Sequence, residues 1–109
     1  MIPYGRQSIS DADIEAVVAV LKSDYLTQGQ AVPAFEQGLA DYCQVPYVIA
    51  CSNGTTALHL ACAVLELGVE DTVWVSAVSF VASANCVRYC NANVDFVDVD
   101  PVTGNLNVR

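Results

Sequence analysis

The sequence predicts an α/β fold, a parallel sheet with helices on both faces. Three observations lead there. After Pro46, short apolar and β-branched runs alternate with helical patterns. The links between them are brief, so successive strands run parallel and are joined by right-handed crossovers. The two helical stretches after Pro46 also end at residues suited to the left-handed conformation, Gly68 and Asn91.

The elements follow in order. Ser8 or Ser10 can cap a first helix, Asp11–Lys22, with acids in its first turn and a lysine in its last. Its apolar residues recur at intervals of three and four. Residues 23–30 break that period with a glycine and many polar groups. Pro33 fits the first turn of a second helix that runs through Tyr42. Strand Tyr47–Cys51 then precedes helix Thr55–Leu67, which Gly68 closes. Strand Thr72–Ser76 precedes helix Phe80–Cys90, which Asn91 closes in the left-handed region. A third strand spans Val94–Val99. Residues 1–45 thus read as an N-terminal helical segment and 46–109 as an incomplete α/β domain, since three strands are fewer than most sheets have.

At 109 residues the chain has the length of one ordinary domain. Apolar residues make up 54% and charged residues 15%, which suits a buried interior and argues against disorder. A net charge of −8 argues against nucleic acid or an anionic membrane as partner. The five cysteines are odd in number, and the N-terminus lacks the apolar stretch of a secretory signal. Cys51, Cys62, Cys86 and Cys90 fall in apolar patterns, where a free thiol packs as a small hydrophobe; reduced thiols in a cytoplasm are expected. Cys86 and Cys90 are spaced to face one way on a helix, but no matching Cys or His pair accompanies them, so no metal is expected. The longest apolar runs are too short to span a bilayer.

The most informative stretch is Tyr47 to Ala61, where a β-branched run stops at small polar residues and a helical pattern begins. The first N–H groups of a helix have no intrahelical acceptor, and the helix dipole adds partial positive charge there. Asn53 to Thr56 supplies two hydroxyls and a residue without Cβ, so an anion can approach closely. This is the pattern of a phosphate cradle. In an open parallel sheet, ligands gather beyond the carboxyl ends of the strands. The loops Ser52–Thr55, Ala77–Phe80 and Asp98–Pro101 are expected at that one edge, which puts Phe80 on the rim of the cradle. The alternative has Phe80 as a core aromatic capping its helix.

Several chemistries are excluded. No Gly-Lys-Ser or Gly-Lys-Thr ends the turn, no Gly-x-Gly-x-x-Gly is present, and Ser52-Asn53-Gly54-Thr55 is not a hydrolase elbow. His59 has no acid or thiol partner at a useful spacing and reads as packed or partly exposed. Asp98 and Asp100 either orient a ligand or stand as solvated acids before the Pro101 turn.

Five stretches, taken together, carry a family resemblance: Tyr25-Leu26-Thr27-Gln28-Gly29; Ala34-Phe35-Glu36 with Leu39-Ala40; Ser52-Asn53-Gly54-Thr55-Thr56-Ala57-Leu58; Ser79-Phe80-Val81-Ala82-Ser83-Ala84-Asn85; and Val97-Asp98-Val99-Asp100. In this order, from about Pro3 to Val108, they resemble the N-terminal part of the DegT/DnrJ/EryC1/StrS sugar aminotransferases. The resemblance implies the aspartate-aminotransferase fold (fold type I), with pyridoxal 5′-phosphate as cofactor. The opening Ile2-Pro3-Tyr4-Gly5 and Leu26-Thr27-Gln28-Gly29 look most like the branch that aminates C4 of UDP-linked 4-keto-6-deoxy-N-acetylhexosamines.

The resemblance further implies that Gly54 and Thr55, with Thr56 beside them, hold the cofactor's phosphate. It implies that the Phe80 ring stacks on the pyridine, where a flat apolar face orients it and excludes water. Tyr4, Asp24, Tyr25, Leu26 and Thr27 match positions lining the nucleotide-sugar site, with Ser52 near the substrate. Glutamate as amino donor, polysaccharide biosynthesis in the cytoplasm and a homodimer or higher homo-oligomer with sites at the subunit boundary come with the same likeness.

The chain departs from the family in one decisive respect. Its only lysine is Lys22, on an early amphipathic helix. The Schiff-base lysine and the Asp-x-Ala-His segment are expected downstream of Arg109, so the chain reads as a fragment without a catalytic residue, inactive as it stands. Glu70-Asp71-Thr72 stands where Gly-Asp-Glu is usual, Ala77 where proline is common, and Asn91 replaces a glycine. Three alternatives remain open: a sister dehydratase with histidine for that lysine, a non-catalytic module for a phosphorylated ligand, and a non-functional remnant with an uncovered sheet edge.

Overall fold

The computed structural model describes residues 5–107. The chain forms two compact units, Met1–Ala50 and Cys51–Arg109.

The first unit holds two helices, α1 (Asp11–Leu21) and α2 (Ala31–Cys43). Of the two candidate caps, Ser10 is the one used. Its Oγ accepts from the Asp13 N–H at 3.3 Å, and the Asp13 carboxylate accepts from the Ser10 N–H at 2.8 Å. This reciprocal pair satisfies two backbone donors at the helix start. Those bonds hold the Asp13 carboxyl below its ordinary value, the backbone N–H of Ser10 contributing most. Lys22 is the C-cap rather than part of the last turn. In α2, Pro33 stands in the first turn, where its missing N–H costs nothing. Gln44 closes the helix in the left-handed region, and Val45 N–H reaches back to the Ala40 carbonyl.

The expected strand Tyr47–Cys51 is not formed. A strand needs a neighbour for its N–H and C=O groups, and among the described residues this segment pairs with none. The Ala50 N–H donates instead to a carboxylate oxygen of Glu36 on α2, at 2.7 Å. Tyr47, Ile49 and Cys51 are consequently exposed, and Cys51 is not the packed thiol its apolar setting suggests.

The second unit is α/β. Its order is α3 (Gly54–Val64), β1 (Thr72–Ser76), α4 (Ala82–Tyr89) and β2 (Asn93–Val97). β1 and β2 pair in parallel, with Thr72 opposite Asn93 and Ser76 opposite Val97. One β–α–β unit is therefore present where two were expected, because the first strand is absent. α4 packs on the strands and α3 packs on α4. The buried cluster is Val75, Cys86, Val87 and Ala92, with Cys62, Leu67, Val73 and Val94 packed around it. Cys62, among these apolar neighbours and beside Cys86, has its thiol pushed up to about 11 by burial. A thiol so raised stays protonated and unreactive.

The boundaries differ from expectation for local reasons. α3 stops at Val64, and the left-handed residue is Glu66 rather than Gly68. Leu67 N–H returns to the Cys62 carbonyl, so the helix is closed before Gly68, which instead opens a turn with Asp71. α4 starts at Ala82, because Ser83 and Ala84 N–H groups bond three residues back, to Phe80 and Val81. Asn91 does adopt the left-handed conformation, at φ 60°. β2 ends at Val97; beyond it Val99 bridges antiparallel to Leu106. Asp100 Oδ1 accepts from the N–H groups of Thr103 and Val102, which lowers its pKa and forms the turn after Pro101.

The Ser10–Asp13 cap gives a pH prediction. The carboxyl pKa is lower in the folded state, so its contribution is present at neutral pH and is lost as pH falls through the folded value. An Asp13→Ala variant is expected to be less stable than wild type at pH 7 in urea titrations. The difference should shrink once the pH drops below 3.8, the ordinary carboxylate value.

Candidate phosphate-binding site

The start of α3 is built by Asn53. Its backbone is extended, at φ −169° and ψ 170°, and its Oδ1 accepts from the Thr56 N–H at 2.9 Å. Oδ1 also accepts from the Thr56 hydroxyl at 3.1 Å. The Asn53 carbonyl takes the Ala57 N–H, the first intrahelical bond. Of the first four donors, two are thus engaged. The N–H groups of Gly54 and Thr55 lie before the first possible intrahelical acceptor, and they point out of the helix with its dipole behind them.

The side chains around these donors suit an anion. Ser52 Oγ lies 3.2 Å from Thr56 Oγ1 and accepts from Asn53 Nδ2 at 3.3 Å, so both hydroxyls belong to one small network. A Cβ placed on Gly54 would meet nothing within 4 Å, and Gly54 does not need the left-handed region. Neither packing nor backbone conformation requires glycine there. An open face beside free N–H groups is the feature that would use it. Two backbone donors and the Thr55 hydroxyl, with no carboxylate within the network, form a donor set that fits a phosphate monoester, while the Thr56 hydroxyl gives its one proton to Asn53 Oδ1.

Phe80 stands outside α4 and is 70% exposed, which removes the reading as a core aromatic. The loops after β1 and β2 leave the same edge of the parallel pair. The cradle was expected at that edge because a strand was expected to lead into it, and that strand is absent.

Asp24, Tyr25, Leu26 and Thr27 lie in the first unit, between α1 and α2, where they line a groove of about 870 Å³. Its other walls are the last turns of α1, at Ala19 and Val20, and the start of α2. Tyr4 lies outside the described residues. Lys22 is exposed at the end of α1, and His59 is half-buried with its ring edge-on to Tyr89 at 5.3 Å. Among the described residues, no group of three or more His, Cys, Asp or Glu is arranged to hold a metal ion. No described helix is long and apolar enough to cross a membrane.

Two residues quoted from the sequence make contacts that were not read there. Asn53 orients Thr56, and an asparagine just before a helical pattern is the signal for such a cap. Glu36 holds the Ala50 N–H, and no local pattern announces a contact between residues 14 positions apart.

Comparison with known proteins adds the context. Residues 7–109 match the DegT/DnrJ/EryC1/StrS aminotransferase family. GDP-perosamine synthase of Caulobacter vibrioides is 49% identical over 79 residues, covering 72% of this chain and 21% of that protein. UDP-4-amino-4,6-dideoxy-N-acetyl-beta-L-altrosamine transaminase of Campylobacter jejuni is 36% identical over 99 residues, covering 91% and 26%. Among solved structures, the PLP form of the sugar aminotransferase candidate Spr1654 from Streptococcus pneumoniae aligns with a TM-score of 0.89 at 32% identity. That alignment covers 97% of this chain and 27% of the other. The chain spans between about a fifth and a third of the length of the curated relatives it matches.

Replacing Asn53 by alanine removes the cap and leaves the Thr56 N–H without its acceptor. The expected cost is about 1 kcal/mol, read from denaturant midpoints.

Proposed function

The chain belongs to the DegT/DnrJ/EryC1/StrS aminotransferase family, and on that premise we propose that it carries the cofactor-phosphate site of a nucleotide-sugar aminotransferase. The family is dependent on pyridoxal phosphate. The reaction proposed is amino transfer from glutamate to C4 of a UDP-linked 4-keto-6-deoxy-N-acetylhexosamine. The observation that carries this reading is the start of α3, where Gly54 and Thr55 present two free N–H groups beside an open glycine face.

In this reading Gly54, Thr55 and Thr56 bind the phosphate and so fix the cofactor's position and orientation. Bound pyridoxal phosphate supplies an electron sink for carbanion chemistry at the substrate. Phe80, exposed and aromatic, offers a flat face that excludes water from the ring without altering its charge. Asp24, Tyr25, Leu26 and Thr27 contact the nucleotide sugar, as do Tyr4 and Ser52. Residues 46–109 then belong to the cofactor-binding large domain, and 1–45 form a helical segment leading into it. Lys22, exposed at the end of α1, does not serve as the Schiff-base lysine, so these 109 residues alone do not transaminate. A cytoplasmic homodimer or higher homo-oligomer acting in polysaccharide biosynthesis, with no nucleic acid or membrane as partner, completes the proposal.

The test uses the product of the complete reading frame. With pyridoxal phosphate, glutamate and the UDP-linked keto sugar, 2-oxoglutarate and a 4-amino sugar are expected at about 1–10 per second. A GDP-linked 4-keto-6-deoxyhexose in a parallel assay decides the nucleotide. Sugar deoxygenation without amino transfer, or no reaction with either sugar, contradicts the reading. A Gly54→Ala variant separates binding from folding. Its midpoint of unfolding should be unchanged or raised, since alanine suits a helix better. Its affinity for pyridoxal phosphate should fall about tenfold, because the methyl group occupies the open face.

A further inference from the structure

The loop that leads from α1 to α2 contains one contact that no side-chain chemistry explains. A Cβ built on Gly29 would lie 2.8 Å from the backbone oxygen of Tyr25, closer than real Cβ atoms come. Gly29 does not adopt a positive φ; the left-handed residue in this turn is its neighbour Gln28, at φ 55°. The two demands of a tight turn are therefore divided between adjacent residues. Gln28 supplies the backbone sign and Gly29 supplies the space. The same Tyr25 oxygen lies 3.2 Å from the Ser23 hydroxyl. That hydroxyl is also 2.7 Å from the Val20 carbonyl, and its single proton serves one of the two at a time.

We propose that Gly29 is a positioning residue, which with Ser23 fixes the Tyr25 carbonyl and thereby sets the wall of the nucleotide-sugar groove at Asp24–Thr27. The inference rests on the reading of those four residues as substrate contacts. An alanine at position 29 must displace a backbone oxygen, which cannot swing aside as the tip of a long side chain does. The displacement passes along the chain into the residues that line the 870 Å³ groove. Gly38 provides the contrast. It lies on α2, and a Cβ there would meet nothing within 4 Å.

The product of the complete reading frame, loaded with pyridoxal phosphate, is compared as wild type, Gly29→Ala, Ser23→Ala and Gly38→Ala. In Gly29→Ala the KM for the nucleotide sugar should rise at least about fivefold while kcat stays within about twofold, the signature of lost ground-state binding. The KM for the amino donor should not change, and Gly38→Ala should match wild type. Calorimetry with UDP and with GDP gives the same comparison without turnover, the dissociation constant for the nucleotide that binds rising by a similar factor in Gly29→Ala. Ser23→Ala adds no atoms, so it keeps the test open if Gly29→Ala does not fold; a rise of about twofold is expected. Wild-type affinity in both variants overturns the proposal, as does an equal fall in kcat and in both substrates' binding. A wild-type protein that binds neither UDP nor GDP overturns the groove assignment as well.

Discussion

A backbone N–H taken out of water is costly without an acceptor, and the fate of a few such groups organises much of this chain. Where a parallel neighbour exists, as for β1 and β2, a ladder forms that sets Thr72 opposite Asn93 and Ser76 opposite Val97. Where none exists, as for residues 47–51, the Ala50 donor goes to the Glu36 carboxylate and the segment carries no ladder. At the start of α3 the same accounting leaves two donors over. Asn53 takes Thr56 and Ala57, and the N–H groups of Gly54 and Thr55 are left without an acceptor in the helix.

The two units meet this constraint differently. In Met1–Ala50 the helices are closed by side chains and tight turns: the Ser10–Asp13 pair, Gln44 in the left-handed region, and Gly29 against the Tyr25 carbonyl. Ala40 is its one buried apolar residue among those described. In Cys51–Arg109 a continuous cluster around Val87 and Ala92, 1% and 0% exposed, binds α4 to the strands. Burial of side chains such as Val87 contributes roughly 1.5–3 kcal/mol each, which is large against the net stability of a domain.

Much of this was legible from sequence. Strand Thr72–Ser76 and the left-handed Asn91 were read to the residue, because alternation and turn chemistry are local signals. The family, the α/β class and the cofactor were legible because five short stretches recur in order. The strand at Tyr47–Cys51 was not, since β-branched residues report a preference and pairing depends on a distant neighbour. Helix ends at Val64 and Ala82 shifted by two or three residues, as Glu66 and Phe80 closed turns that composition alone does not specify. At the site, a helix start at the Asn53–Thr55 turn was legible, while the hold of Asn53 Oδ1 on both groups of Thr56 is a matter of side-chain geometry.

The central claim is that the two free N–H groups at the start of α3 hold the phosphate of pyridoxal phosphate. A crystal structure of the complete protein with that cofactor tests it most directly. The account predicts phosphate oxygens about 3 Å from the backbone nitrogens of Gly54 and Thr55. A phosphate bound elsewhere, with both nitrogens facing solvent, would contradict it.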